Sequence, residues 1–143
     1  MRVALFIAFC LLCFNRGITK DSGSAANKLD GTWIPVKQEL GGTPVPATAF
    51  ATQKLIISDT TYTFTAESVD KGVLNYDNYK MDIHGKEGVN AGKHFTAIYK
   101  FIPGSSKKAA QLTICYNLSG HGYPETFDTK GNLTLFLSVF KKE

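Results

Sequence analysis

Leu29-Asp30-Gly31-Thr32-Trp33, continuing through Ile34-Pro35-Val36-Lys37, holds the only tryptophan of the chain. Gly31 lets the backbone bend at the start of a first strand, and the large Trp33 indole can plug a core where later strands converge. These two residues are the structural anchors expected of an all-β domain. Everything after them reads as short strands separated by turns.

Working outward from Trp33, Glu39 to Pro46 is dense in Gly and Pro and reads as a loop. Ala47 to Gln53 has no strong period and could hold a short helical turn. Lys54-Leu55-Ile56-Ile57 is a brief strand, and Thr61 to Ala66 alternates with Tyr62, Phe64 and Ala66 on one face. Gly72 to Tyr76 and Tyr79 to His84 form a hairpin across Asp77-Asn78, with Tyr79, Met81 and Ile83 facing one way and Lys80, Asp82 and His84 the other. Lys93 to Ile102 places Phe95, Ala97, Tyr99 and Phe101 together, and Gln111 to Tyr116 places Leu112, Ile114 and Tyr116 together. Leu133 to Phe140 is the last strand. Eight strands, short connections and no helical period of ten residues predict an eight-stranded up-and-down antiparallel barrel, which leaves no exposed sheet edge.

The chain has 143 residues, 43% hydrophobic and 20% charged, which fits one globular domain and excludes a disordered or fibrous class. Met1-Arg2 followed by the apolar run Val3 to Phe14 is too short to span a bilayer, which takes about 20 residues. It matches a secretory signal, with small residues suited to cleavage after Ala26. Residues 1–26 are therefore expected to be a signal peptide and residues 27–143 a single exported domain, periplasmic or secreted, without stable membrane insertion once the signal is removed. An uncleaved anchor is the alternative. Cys10 and Cys13 lie inside the signal and follow the large residues Phe9 and Leu12, unlike a lipid-attachment cysteine. Cleavage leaves Cys115 as the sole thiol, so no intrachain disulfide can form, and its strand position between Ile114 and Tyr116 suits packing rather than catalysis.

Cleavage would also remove Arg2, Arg16, Lys20 and Asp21, leaving 13 basic and 11 acidic residues. That weak balance is an ordinary solvated surface and offers no nucleic-acid footprint. His84, His94 and His121 lack the one-, three- or four-residue spacing that places two metal ligands on one face. No nucleophile elbow accompanies the serines, and Asp82 and Glu87 lack the apolar setting that raises a catalytic carboxyl. Neither a catalytic residue, a metal nor a cofactor is expected.

The order of several motifs resembles a family of small lipocalin-like domains of unassigned function, found mainly in planctomycete-type bacteria and often behind a signal peptide. The matching features are Leu29 to Trp33, Glu39 with Gly42 to Pro46, Tyr62-Thr63-Phe64, Asn90 to Lys93, Ile98-Tyr99, Leu112 to Tyr116, and Tyr123 to Phe127. The resemblance spans about Leu29 to Lys141. It implies a calycin-like barrel and transfers no catalytic residue. The family often has Arg before the last proline where this chain has Tyr123, so an ion-pair role for that Arg does not carry over. A bacterial resemblance also makes Asn117-Leu118-Ser119 and Asn132-Leu133-Thr134 turn residues rather than glycosylation sites.

The alternating faces would line the barrel interior with Tyr62, Phe64, Met81, Tyr99, Phe101, Ile114 and Tyr116. Such side chains either fill a small barrel or leave room for one ligand. The first functional expectation is non-enzymatic binding of a small apolar or amphipathic molecule. The alternative is a structural or protein-interaction module at the cell envelope, with a filled barrel and with Gly41 to Pro46 and Gly120 to Phe127 as contact loops.

Overall fold

The structure, a computed structural model, describes residues 28–143. The expected signal segment, with Cys10 and Cys13, lies outside the described residues. Within these, nine strands follow one another: β1 (Gly31–Leu40), β2 (Thr43–Pro44), β3 (Lys54–Ser58), β4 (Thr61–Thr65), β5 (Val69–Asp77), β6 (Lys80–Glu87), β7 (His94–Ile102), β8 (Gln111–Asn117) and β9 (Leu135–Lys142). A 3-10 turn at Ala47–Ala49 is the only helical element among them. β1 pairs with β3, each later strand pairs antiparallel with the next, and β9 returns to pair with β1. Eight strands thus close the antiparallel barrel that the alternation predicts, and β2 stands outside it as a short flap on β1.

Three local features differ from the sequence expectation. The Gly-Pro segment after Glu39 is not wholly loop. Gly41 and Gly42, at φ 57° and 87°, make a two-residue hairpin that pairs Leu40 with Thr43 and Glu39 with Pro44. The β5–β6 turn is shifted by one residue, to Asn78-Tyr79. Asp77 is thereby set opposite Lys80, and the Tyr79 carbonyl accepts from the Tyr99 amide at 3.0 Å. Tyr79 consequently leaves the Met81 face and is 69% exposed. The last strand starts at Leu135 rather than Leu133, because Asn132 Oδ1 accepts from both the backbone and the hydroxyl of Thr134 and turns the chain there.

Antiparallel order divides the connections between two ends. One end carries the segment at Leu29 that leads into β1 and the turns at Asp59, Asn78 and residues 103–110. The other carries residues 41–53, 66–68, 88–93 and 118–134. At the first end Trp33, Leu29 and Leu112 are fully buried, and Phe101 meets the Trp33 ring edge-on at 6.3 Å. Gly31, at φ 137°, has no side chain to obstruct the Lys142 stem, whose ammonium lies 5.6 Å from the Trp33 ring centre. This end is the plugged floor of the barrel.

The residues between β8 and β9 do not simply bridge two strands. They run as a strap along the outer wall, where Tyr123 reaches Asp82 on β6 and Phe127 lies 5.2 Å from the Lys100 ammonium on β7. Thr129 is buried at the far end of the strap. Its hydroxyl donates to Glu39 and accepts from the Gly42 amide at 2.8 Å. Cys115 and Leu137, cross-strand partners on the outward face, are buried even though that face was open by alternation.

Candidate ligand cavity in the barrel

Above the Trp33 floor the barrel is not filled. A cavity of about 630 Å³ extends to the end where Gln53, Asn90, Lys93 and Leu118 lie. Of the seven residues expected to line the interior, Tyr62, Phe64, Met81, Ile114 and Tyr116 border this space. Tyr99 and Phe101 do not. Both point inward, yet β7 descends toward the floor along its length, so its last inward residues pack there. Phe101 meets Trp33, and Tyr99 lies edge-on to Tyr76 with ring centres 5.5 Å apart. Phe95, nearer the start of β7, borders the cavity in their place. Alternation fixes the face on which a residue lies; height in the barrel depends on strand direction and stagger.

The remaining wall is largely aliphatic and aromatic, with Leu55, Ile57, Leu74, Ile83, Phe136 and Phe140 contributing. Such a wall gains from burying an apolar body by roughly 25 cal/mol per Å² of apolar surface removed from water.

Two groups of polar residues break the apolar wall, and both escaped the sequence reading. On one side, Gln38 donates from Nε2 to Gln53 Oε1 at 2.6 Å and to Ser138 Oγ at 3.4 Å. Simple alternation from Trp33 would have put Lys37 inside. A bulge at Val36 resets the phase, so Gln38 turns inward and Lys37 outward. The proline at position 35 was the available signal for such an irregularity, since Pro within a strand favours bulges.

On the other side lies Asp70. β5 begins at Val69, three residues earlier than the apolar pattern suggests, and Asp70 pairs across from Phe64 with its side chain on the inner face. Its Oδ1 accepts from the Asn90 amide at 3.0 Å, and Gly88 leaves the space for that approach: a Cβ there would come within 2.4 Å of the same oxygen. The phenol of Tyr62 is pushed above its ordinary pKa, first by burial and then by the nearby Asp70 charge. Burial likewise raises that of Tyr116, with Tyr62 adding to it. Both phenols stay protonated at neutral pH and can donate as well as accept hydrogen bonds.

His84 and His94 occupy the outer wall, and His121 is exposed in the segment between β8 and β9. His84 and His94 are cross-strand partners whose rings stack at 4.3 Å, and His94 Nε2 lies 2.9 Å from Asp82 Oδ1. The other carboxylate oxygen of Asp82 accepts from the Tyr123 hydroxyl at 2.5 Å, so this cluster holds the strap and is separate from the cavity.

The arrangement combines an apolar well, a plugged floor, a lysine near the mouth and a few polar groups toward the open end. No protein-family model, curated protein or solved structure matches the chain.

Proposed function

We propose that this protein is a non-enzymatic carrier that holds one small apolar or amphipathic molecule inside its barrel. The cavity supports this reading: about 630 Å³, enclosed by Tyr62, Phe64, Met81, Ile114 and Tyr116. Small-molecule sites span ~300–1,000 Å³ and combine apolar walls with a few convergent polar groups, as here. A domain whose barrel was packed solid with side chains, the premise of the interaction-module alternative, would leave no such space. The strap residues offered as contacts in that alternative, Tyr123 and Phe127, are engaged by Asp82 and Lys100 on the barrel wall.

The proposal places the carrier outside the cytoplasm, as an exported member of the lipocalin-like family that the motif order resembles. The apolar run Val3 to Phe14 and the small residues before Asn27 support export. A lone buried thiol in the described domain is compatible with an oxidising compartment, because no second described cysteine is available for mispairing.

Titration of the purified protein with the uncharged dye N-phenyl-1-naphthylamine tests the carrier reading. Saturable fluorescence enhancement at one site, competed by octanol and lost in Ile114→Trp with circular dichroism unchanged, is the expected result. Absence of saturable binding of either probe at micromolar protein overturns it.

A further inference from the structure

Asp70 is 5% exposed, yet one of its carboxylate oxygens has no protein partner. Oδ1 is held by the Asn90 amide. Oδ2 accepts from no described residue, and no described Lys or His forms an ion pair with this carboxylate. The oxygen is nevertheless not sealed in the wall, since no fully enclosed side-chain oxygen or nitrogen lacks a partner among the described residues. Asp70 borders the cavity, so the free oxygen is presented to it. Tyr62 and Tyr116 border the same space, and their hydroxyls likewise bond to no described protein group.

A carboxylate only accepts hydrogen bonds, and burying one without a counter-charge is unfavourable. A head group that satisfies Asp70 must therefore donate, and a positive one donates most strongly because the bond is charge-assisted. The phenols adapt to that head as acceptors. The opposing charge at the cavity is Lys93, an exposed residue near the mouth whose ammonium already donates to Asn90 Oδ1 at 3.3 Å. Water and salt screen an exposed lysine far more than a buried carboxylate, so the inner site outweighs the outer one in choosing the sign of the head group.

We propose that the cavity selects a molecule with an apolar body and a primary ammonium head, the head donating to Asp70 Oδ2 with the Tyr62 hydroxyl as a second acceptor. This rests on the carrier function proposed above and names its ligand class. The apolar body then lies against Ile57, Leu74, Met81 and Ile114, below the head and above the Trp33 floor.

Three probes with one tail separate the possibilities: octylamine, octanol and octanoate, titrated calorimetrically into the full chain at neutral pH. Octylamine should bind at one site roughly tenfold or more tightly than octanol, the ratio expected of a single charge-assisted bond. Asp70→Asn, which can still accept from the Asn90 amide, should abolish the amine preference, so that octylamine and octanol bind with equal affinity. Tyr62→Phe should reduce the amine preference severalfold. The ranking of probes by the unsubstituted protein tests the proposal even where a variant fails to fold. Equal binding of amine and alcohol, or tightest binding of octanoate through Lys93, overturns the ammonium proposal and leaves the carrier intact. Binding of none of the three overturns both.

Discussion

The Trp33 indole donates from Nε1 to the carbonyl of Leu29 at 2.8 Å, and both residues are fully buried. This bond ties the chain segment that precedes β1 to the floor of the barrel. Trp33 therefore does two things: it fills the floor against Phe101, and it satisfies a carbonyl that water does not reach.

Replacing Trp33 separates these roles. Trp33→Ala should lower stability by ~3–5 kcal/mol, the usual loss for a deleted core aromatic. Trp33→Phe keeps most of the packing but strands the Leu29 carbonyl, and should lose about 1–3 kcal/mol. Urea unfolding measures both. As the sole tryptophan, Trp33 should also emit at short wavelength in the native protein and shift red on unfolding. Red-shifted native emission, or an alanine variant with an unchanged urea midpoint, would show that it does not seal the barrel.

The strap yields a pH dependence. Burial works against the Asp82 charge and is the largest single influence on it. The hydrogen bonds from Tyr123 and His94, with the imidazoles nearby, together outweigh it and hold the carboxyl below its ordinary value of 3.8. A carboxyl depressed in the folded state contributes stability above its unfolded pKa and loses that contribution as pH falls through the folded value. The strap should accordingly loosen in acid, below about pH 4. Protection against hydrogen exchange at residues 120–127, relative to the intrinsic rate at each pH, should fall there while the barrel amides stay protected. In Asp82→Asn the same amides should already be less protected at about pH 6 and lose little further protection on acidification. Strap protection that is identical in the two proteins across this range would rule out Asp82 as the fastening.

The parts of this molecule that were legible in its sequence are those governed by period two. Tyr62, Phe64, Met81, Ile114 and Tyr116 declare an inner face because each is flanked by polar or outward residues, and the anchors Gly31 and Trp33 mark where the first strand begins. What the pattern hides is any place where the period breaks or where a polar residue faces inward. The bulge at Val36 moves Gln38 inside, and Asp70 sits between Val69 and Lys71 in a stretch that looks like loop because its charge masks the alternation. Both are cavity residues. The site was therefore readable as an apolar barrel interior, while the groups that would orient a ligand in it were not. Height along the barrel was equally silent, which is why Tyr99 and Phe101 appear on the right face but at the floor.

Cys115 provides the last test, because it is fully buried on the outward face, opposite Leu137. The strap is fastened on either side of β8 and β9, at Lys100 on β7 and Glu39 on β1, so its closure over that face should govern access to the thiol. Burial, with a further push from the Glu39 carboxylate, raises its pKa to about 11. At about pH 8 only roughly one molecule in a thousand would then carry the thiolate, and the thiol is shielded as well. Native protein should therefore react with 5,5′-dithiobis(2-nitrobenzoic acid) orders of magnitude more slowly than protein in urea. Substituting Thr129 by Val removes the hydroxyl that links Glu39 and the Gly42 amide, and so frees the far end of the strap. That variant should label faster than the unsubstituted protein under native conditions, with the β-sheet circular dichroism retained. Fast labelling of the native protein would mean that the strap does not cover the barrel wall in solution, and an unchanged rate in Thr129→Val would mean that its closure does not depend on Thr129.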